Sequence, residues 1–382
     1  MLQRLRDAAY QFKKRMLVDA TLVEGKLKGD DARSRCLLVM DRNSPFENYL
    51  LYRMYGEEFS RLRTRRLWVS SLKKVARNLP EQAEFCIAVL PAELDATFSR
   101  LTEISSPAIV RQVVDMSGEW TDVKQRFLES RRKTVFNKFM RDDRFSFRIS
   151  NDPADFDHFY RRMYVPHVQQ QFLDSARVDP STKLEPYFKR GFMLILNEGS
   201  TDVAGSLCFF AGDTMFFHRG GVLDGKEEYV RDGAQTALYV AMLRHAKDSK
   251  MRLLDLGHSR AFFNDGVYRH KRGWGASVSV DADLDRWLYF FNPNDSARAN
   301  RVLQQNPMIV RTRDGLMGYY MAAAGDDCTD EGRKRLEKLY FSPGLQGMLL
   351  RPASGRQPVV LDFAATAITA SQEPLGLRVG AA

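Results

Sequence analysis

The order of elements between residues 192 and 256 narrows the possible folds of this chain more than any other feature. Residues 192–196 are an apolar run, 198–202 a polar turn and 203–210 a second run, all read as strand, turn, strand. Gly212 and Asp213 have the composition of a two-residue hairpin loop, so 214–218 is the returning strand. Residues 232–247 then carry Ala234, Leu238, Ala241 and Met242 at helical spacing, and lead into 251–256, a leucine-rich run too short for a helix. A strand, a helix and a short buried strand make a right-handed crossover, so 214–218 and 251–256 are expected to lie parallel beside two antiparallel neighbours. Where such a parallel pair diverges, backbone groups are freed for a ligand. The crossover helix aims its first N–H groups, here Asp232 to Gln235, at a phosphate or a carbonyl. Asp232 itself reads as a cap.

The window that follows, 253–275, concentrates polar chemistry beside apolar anchors. Asn264, Asp265 and Gly266 have turn chemistry. Beyond them Tyr268, His270, Lys271 and Arg272 sit between Phe262, Phe263 and Trp274. Ionisable groups among aromatic rings have the conditions for shifted pKa values. The window is read either as a functional site or as a surface loop with aromatic anchors. After it, Ser277, Ser279, Asp281, Asp283 and Asp285 alternate with apolar residues, a half-exposed strand.

Upstream, 36–40, 85–90, 109–116 and 145–149 read as strands and 121–140 as one helix. Asn151 or Asp152 is positioned to cap the next helix, with Pro153 in its first turn and Pro166 ending or bending it. Leu2, Leu5, Ala9, Phe12 and Met16 make a basic amphipathic helix, followed by a linker at 25–31. Such a helix covers its own domain's apolar surface, lies on an anionic membrane or pairs with another chain. Residues 1–78 hold 18 Lys and Arg against 9 Asp and Glu, so nearly all of the formal charge of +10 lies at the front. Within them, 61–77 carries seven basic residues and no acid. That asymmetry points to an anionic partner: phosphate, nucleic acid or a lipid surface. A length of 382 residues suggests two domains. Cys36, Cys86, Cys208 and Cys328 lie far apart without C-x-x-C spacing, and the six histidines show no ligand spacing, so no metal is expected. No apolar run reaches the length of a membrane span, and the N-terminus lacks a signal peptide's apolar segment, so a cytoplasmic protein is expected.

In residues 121–290 the chain resembles the GNAT acyltransferases, and within them the FemAB-like and CelD/BcsL-like branch with BioF2-like acetyltransferase domains. The likeness is carried by Ser130-Arg-Arg-Lys133, Arg190-Gly191, Ala204-Gly205, Ala237-Leu238-Tyr239, Asp255-Leu-Gly257, Asp265-Gly266 and Tyr268-Arg-His-Lys-Arg-Gly-Trp-Gly275, in order. The resemblance implies an α+β (mixed α/β) fold of tandem GNAT-like domains, the acyl-CoA N-acyltransferase fold. Its expected parts are an N-terminal helix and linker (1–30), a first GNAT-like domain (31–120), the acyltransferase domain (121–290), an extension (291–363) and a loosely held tail (364–382). It further implies an N-acetyltransferase or other acyltransferase that moves an acyl group from acetyl-CoA or acyl-CoA to an amine or hydroxyl of a small-molecule or glycan-precursor acceptor, as in cell-envelope or exopolysaccharide synthesis. A Fem-type transferase using aminoacyl-tRNA is the alternative, and a noncatalytic adaptor docked to a membrane or partner through 2–16, at the inner membrane face, is another.

The candidate catalytic residues are Tyr268 as acid, Lys271 of the Lys-x-x-Trp-Gly pattern for developing negative charge or an acceptor phosphate, and His258 or Asp255 as base. The CoA pyrophosphate would sit on Arg231, Gly233, Ala234 and Gln235. His218, Arg219, Asp265 and Trp274 would face the acceptor. At the pyrophosphate loop the sequence departs from the family's Gln/Arg-x-x-Gly-x-Gly/Ala pattern: the match is Arg231, Ala234 and Thr236, with Gly233 one place early.

Overall fold

The computed structural model describes residues 16–42, 44–72, 74, 79, 82–102, 104–128, 130–141, 144–172, 177–282, 284–313, 315–322, 330–352, 358–362 and 368–370. In chain order the strands are β1 Leu17–Lys26, β2 Arg33–Met40, β3 Phe59–Trp68, β4 Phe85–Pro91, β5 Ile104–Pro107, β6 Ile109–Asp115, β7 Phe145–Ser150, β8 Gly191–Glu198, β9 Thr201–Ala211, β10 Thr214–Val222, β11 Leu253–Arg260, β12 Ser277–Ser279, β13 Arg286–Phe291, β14 Met308–Thr312, β15 Gly315–Met321, β16 Gly347–Arg351, β17 Val359–Asp362 and β18 Ile368–Ala370. The helices used below are α1 Pro45–Tyr55, α2 Trp120–Gln125, α3 Ser130–Arg141, α4 Pro153–His158, α5 Val165–Phe172, α6 Ser181–Lys189, α7 Ala234–Asp248, α8 Gly266–Gly273 and α9 Ala297–Gln305. The chain forms two compact units: residues 1–110, 260–268 and 280–382, and residues 111–259 with 269–279. The division therefore runs at 110/111 where 120/121 was expected, and everything from 280 onward belongs with the first unit.

The first unit holds a six-stranded sheet in the order β3-β1-β2-β4-β13-β5 and a five-stranded sheet β14-β15-β16-β17-β18. One core joins Val23, Leu38, Phe85 and Phe290 to Leu50 and Met54 of α1, Val302 of α9 and Met317 and Leu349 of the second sheet. Strand β13 lies between β4 and β5, with Trp287 opposite both Leu90 and Pro107. Its run Trp-Leu-Tyr-Phe-Phe has no polar alternation because both of its faces are covered.

The second unit is built on a seven-stranded sheet, β12-β6-β11-β10-β9-β8-β7. In β8 the sequence alternates between two cores. Phe192, Leu194 and Leu196 pack with Ala237, Leu238 and Met242 of α7. Met193 and Ile195 pack with Phe159, Leu184 and Phe188 on the other face. The crossover is as expected: β10 is antiparallel to β9 and parallel to β11, with Thr214 opposite Leu253.

Several local expectations change. The helix expected over 121–140 is two: α2 starts on a capping box of Glu119 and Asp122 and ends at Gln125, and a second helix begins at Ser130. Asp152 caps α4 by accepting from the Ala154 N–H at 2.9 Å. Pro166 does not end the helix: it follows a π-helical turn, Phe159–Tyr164, that joins α4 to α5. The alternating run 277–285 is not one strand: β12 ends at Ser279 and a turn closed by Leu284 N–H to Asp281 O follows. Residues 266–273 form α8, not a surface loop. The amphipathic helix of residues 2–16 lies outside the described residues but for Met16, as does most of the tail after 363; within that tail, β18 pairs with β17. Among the described residues no helix is long and apolar enough to cross a membrane, and no group of His, Cys, Asp and Glu is placed to hold a metal ion. Cys36, Cys86 and Cys208 are buried free thiols, and burial raises the pKa of each; Cys328 lies outside the described residues.

Candidate functional site

The parallel ladder of β10 and β11 runs for three residue pairs and ends at Phe216 opposite Asp255. Both strands lose their regular repeat just beyond that point. In β10 the pairing with β9 skips between Phe217 and Arg219, leaving His218 as an extra residue. In β11, Gly257 has φ +72°, a left-handed conformation that costs a residue with a Cβ about 1–2 kcal/mol. A Cβ there would meet only Phe217 O at 3.6 Å, so it is the backbone angle and not space that calls for glycine. The Gly257 amide turns back and donates to Asp255 Oδ1 at 2.6 Å. The two strands therefore part at one level.

Asp255 is 2% exposed and both of its oxygens are engaged. Besides the Gly257 amide, it accepts from Arg111 Nε of β6 at 2.5 Å, and the Arg111 guanidinium lies 5.5 Å from the Phe216 ring. Ser259 Oγ donates to Gln112 Oε1 at 2.6 Å. These contacts fasten β11 to β6 along the edge away from the opening. Asp255, read from sequence as a candidate base, is thus an anchor whose lone pairs are in use. Arg111, the one basic residue of β6, is not among the candidates read from sequence.

On β10, the His218 ring stacks on Tyr187 of α6 at 3.8 Å, with Arg190 over Tyr187 at 4.5 Å. His218 Nε2 is buried and has no hydrogen-bond partner among the described residues. Burial, and next the charge of Arg219, pull the His218 pKa down to about 4, so the imidazole is neutral at physiological pH. Arg219 is held by Asp179, which accepts from its Nε at 3.0 Å, and donates from Nη1 to its neighbour's carbonyl at 2.7 Å.

The crossover helix begins at Ala234, two residues later than expected. Asp232 is not its cap. The Asp232 N–H closes the short turn of helix Glu227–Arg231 on Glu228 O, and Gly233, at φ +96°, is the first helix-flanking residue of α7. Among the described residues no side chain caps α7, so the N–H groups at its start are left for another acceptor. A Cβ on Gly233 would lie 3.3 Å from the Phe139 ring. Ala234 is buried, Gln235 half-buried and Arg231 exposed.

Lys271 is 3% exposed and donates from Nζ to the His258 carbonyl at 2.8 Å, while the His258 side chain is exposed. Trp274 is fully buried, edge-on to Phe127 at 5.3 Å and 5.0 Å from the Arg132 guanidinium. Arg132 also lies 3.2 Å from His270 Nδ1. Burial, then Arg132 and Lys271, lower the His270 pKa to about 3. Lys271 and Trp274 thus belong to the frame behind β11.

Tyr268 and Asp265 belong to the first unit. The Tyr268 ring is fully buried against Phe263 and its hydroxyl shares a 2.7 Å hydrogen bond with Ser342 Oγ. A hydroxyl so placed packs the first unit, which departs from its expected part as acid. Asp265 accepts from the Tyr268 N–H and from the Tyr49 hydroxyl. Of the sequence candidates, the second unit brings together Asp255, His258, His218, Arg219 and Lys271 around the strand opening.

No family model and no curated protein matches the chain. Solved structures give distant likenesses. One is FemX, at 11% identity over 72% of this chain and 84% of that one, with a TM-score of 0.37. L-PGS from Bacillus licheniformis gives 11% identity over 74% and 87%, with a TM-score of 0.33. A GCN5-related N-acetyltransferase from Sphaerobacter thermophilus gives 12% identity over 67% and 72%, with a TM-score of 0.31. At such values the function has to be argued from geometry.

Proposed function

We propose that the second unit is an acyltransferase whose reacting centre lies where β10 and β11 part. The observation that carries this is the coincidence of the ladder's end at Phe216 and Asp255 with the extra residue His218 and the left-handed Gly257. A sheet opened in this way offers main-chain donors to a carbonyl lying between its strands, and a developing oxyanion is stabilised there without reorganisation. The uncapped start of α7 offers the same kind of donor to a phosphate of acetyl-CoA or another acyl-CoA, with Arg231 on the preceding turn. The acceptor's amine or hydroxyl hydrogen-bonds to neutral His218 and attacks the thioester carbon. The new C–N or C–O bond forms, the C–S bond breaks and the thiolate leaves, taking up through water the proton that the acceptor gives to the base. The exposed His258, next to Gly257, is the base that receives the acceptor's proton, and Lys271 holds its carbonyl in place.

A second reading, with aminoacyl-tRNA as donor, is favoured by β3. Arg61, Arg63, Arg65 and Arg66 are all exposed on this edge strand. Arg61 is paired with Glu47 and Arg66 stands 4.0 Å from Asp19, whereas Arg63 and Arg65 have no acidic partner among the described residues. The reaction then breaks an ester C–O bond in place of C–S.

The test is a thermal-shift titration of the full chain with acetyl-CoA and longer acyl-CoAs. A ligand at 100 times its Kd adds about 2.7 kcal/mol to the native state, and Gly233→Val, strained at φ +96°, should diminish that saturable shift. If no CoA shifts the melting temperature while charged tRNA binds with a steep salt dependence, the donor is the tRNA ester. If neither binds, the transferase reading fails.

A further inference from the structure

In the first unit, Phe46, Tyr49 and Arg53 share one face of α1, and Arg260, Phe262 and Asp265 come from the returning segment 260–268. The Arg260 guanidinium lies 4.1 Å from the Phe46 ring centre and 4.2 Å from that of Tyr49. The Arg53 guanidinium lies 4.5 Å from the Phe262 ring, which is inclined by 48° to Tyr49. Arg53 Nη1 donates to the Tyr49 hydroxyl at 3.0 Å, and that hydroxyl donates to Asp265 Oδ2 at 3.1 Å. Asp265 Oδ1 accepts the Tyr268 N–H at 3.0 Å. The cluster's one carboxylate is thus spent on a tyrosine and a main-chain amide. Arg53 Nε and Nη2 are buried without an acceptor among the described residues. Arg260 has aromatic contacts but no hydrogen bond or ion pair among the described residues.

Two guanidiniums and one carboxylate leave a positive charge in a largely desolvated place, and burial works against both arginines, Arg53 adding its repulsion to Arg260. A buried charge is ordinarily paired. The aromatic faces hold the guanidiniums by their planes and leave their N–H edges for an acceptor. We propose that Arg53 and Arg260 form a binding site for a phosphate oxyanion, which supplies the missing negative charge. Donors on two guanidiniums held over differently inclined rings suit a tetrahedral group, whose oxygens lie in several planes, better than a flat carboxylate. The site stands whatever the second unit transfers, because every residue in it belongs to the first.

The experiment is a thermal-shift and calorimetric titration of the full chain with inorganic phosphate, with pyrophosphate and with acetate, each against sodium chloride at equal ionic strength. Phosphate should raise the melting temperature saturably, and Arg53→Met and Arg260→Met should each weaken its binding at least tenfold. Arg260→Met keeps an unbranched apolar stem on the rings and removes a like charge, so in chloride alone it should melt no lower than the wild-type chain; Arg53→Met also loses the bond to the Tyr49 hydroxyl and is read by its phosphate binding. Tighter binding of pyrophosphate than of phosphate would identify a diphosphate-bearing ligand; the opposite order would identify a monophosphate. An equal response to acetate, no phosphate-specific response in the wild-type chain, or full retention in the variants would each overturn the assignment. Should a methionine variant not fold, Arg260→Lys, which keeps the charge and loses the fork, is expected to bind phosphate more weakly, and unchanged binding would count against the site.

Discussion

At the scale of single residues, Gly257 is the position where chemistry and backbone geometry meet. Because a Cβ there has room, Gly257→Ala isolates the cost of φ +72° from any clash. The expected loss is about 1–2 kcal/mol, read from urea denaturation, with a larger loss of the proposed transferase activity as the amide leaves Asp255 Oδ1. The sequence reads as a strand over 251–256, stopping short of Gly257. The strand in fact continues to Arg260, because a left-handed glycine interrupts the ladder on one side without ending the other. The same limit applies to Asp255 and Tyr268. Their types and positions were legible as candidate acid and base, but their partners, Arg111 and Ser342, lie 144 and 74 residues away in sequence. No local pattern reveals such a partner. His218 was legible as a residue at a strand end, and its stacking on Tyr187 was not.

Between elements, the crossover β10-α7-β11 was readable because handedness leaves one arrangement for strand, helix, strand. Helix α8 was not, since Lys271 is buried by reaching the His258 carbonyl, a contact that periodicity cannot foresee. Strand β11 depends on β10 for only three residue pairs, so its attachment to β6 matters more than usual. The Arg111–Asp255 pair is the charged part of that attachment, with Asp255 almost fully buried. Asp255→Ala strands the guanidinium and is expected to cost about 3 kcal/mol, measured by denaturant unfolding. Asp255→Asn, which still accepts from the Gly257 amide, should cost less. The double change Asp255→Ala with Arg111→Met should recover part of the loss; full additivity of the two single changes would mean that the pair does not fasten the strand.

Across the whole molecule, the six histidines all fall in the second unit, at positions 158, 167, 218, 245, 258 and 270. Burial lowers the pKa of His167, His218, His245 and His270 below the ordinary 6.5, to about 4 for His218 and about 3 for His270. A histidine depressed in the folded state is neutral there while the unfolded chain still takes up its proton. Its stabilising contribution is therefore complete above pH 6.5 and is lost as the pH falls towards the folded pKa. For the well-buried His270 alone this amounts to roughly 4 kcal/mol by pH 3. The first unit has no histidine. Hydrogen exchange compared at pH 7 and pH 5, corrected for intrinsic rates, should show peptides of β8 to β11 losing protection while those of β1, β2 and β4 keep theirs. Equal loss in both sets would mean that the buried imidazoles do not set the acid limit of the second unit. A selective loss would tie the acid sensitivity of the strand opening to the neutral state of His218, the state in which the proposed acceptor site works.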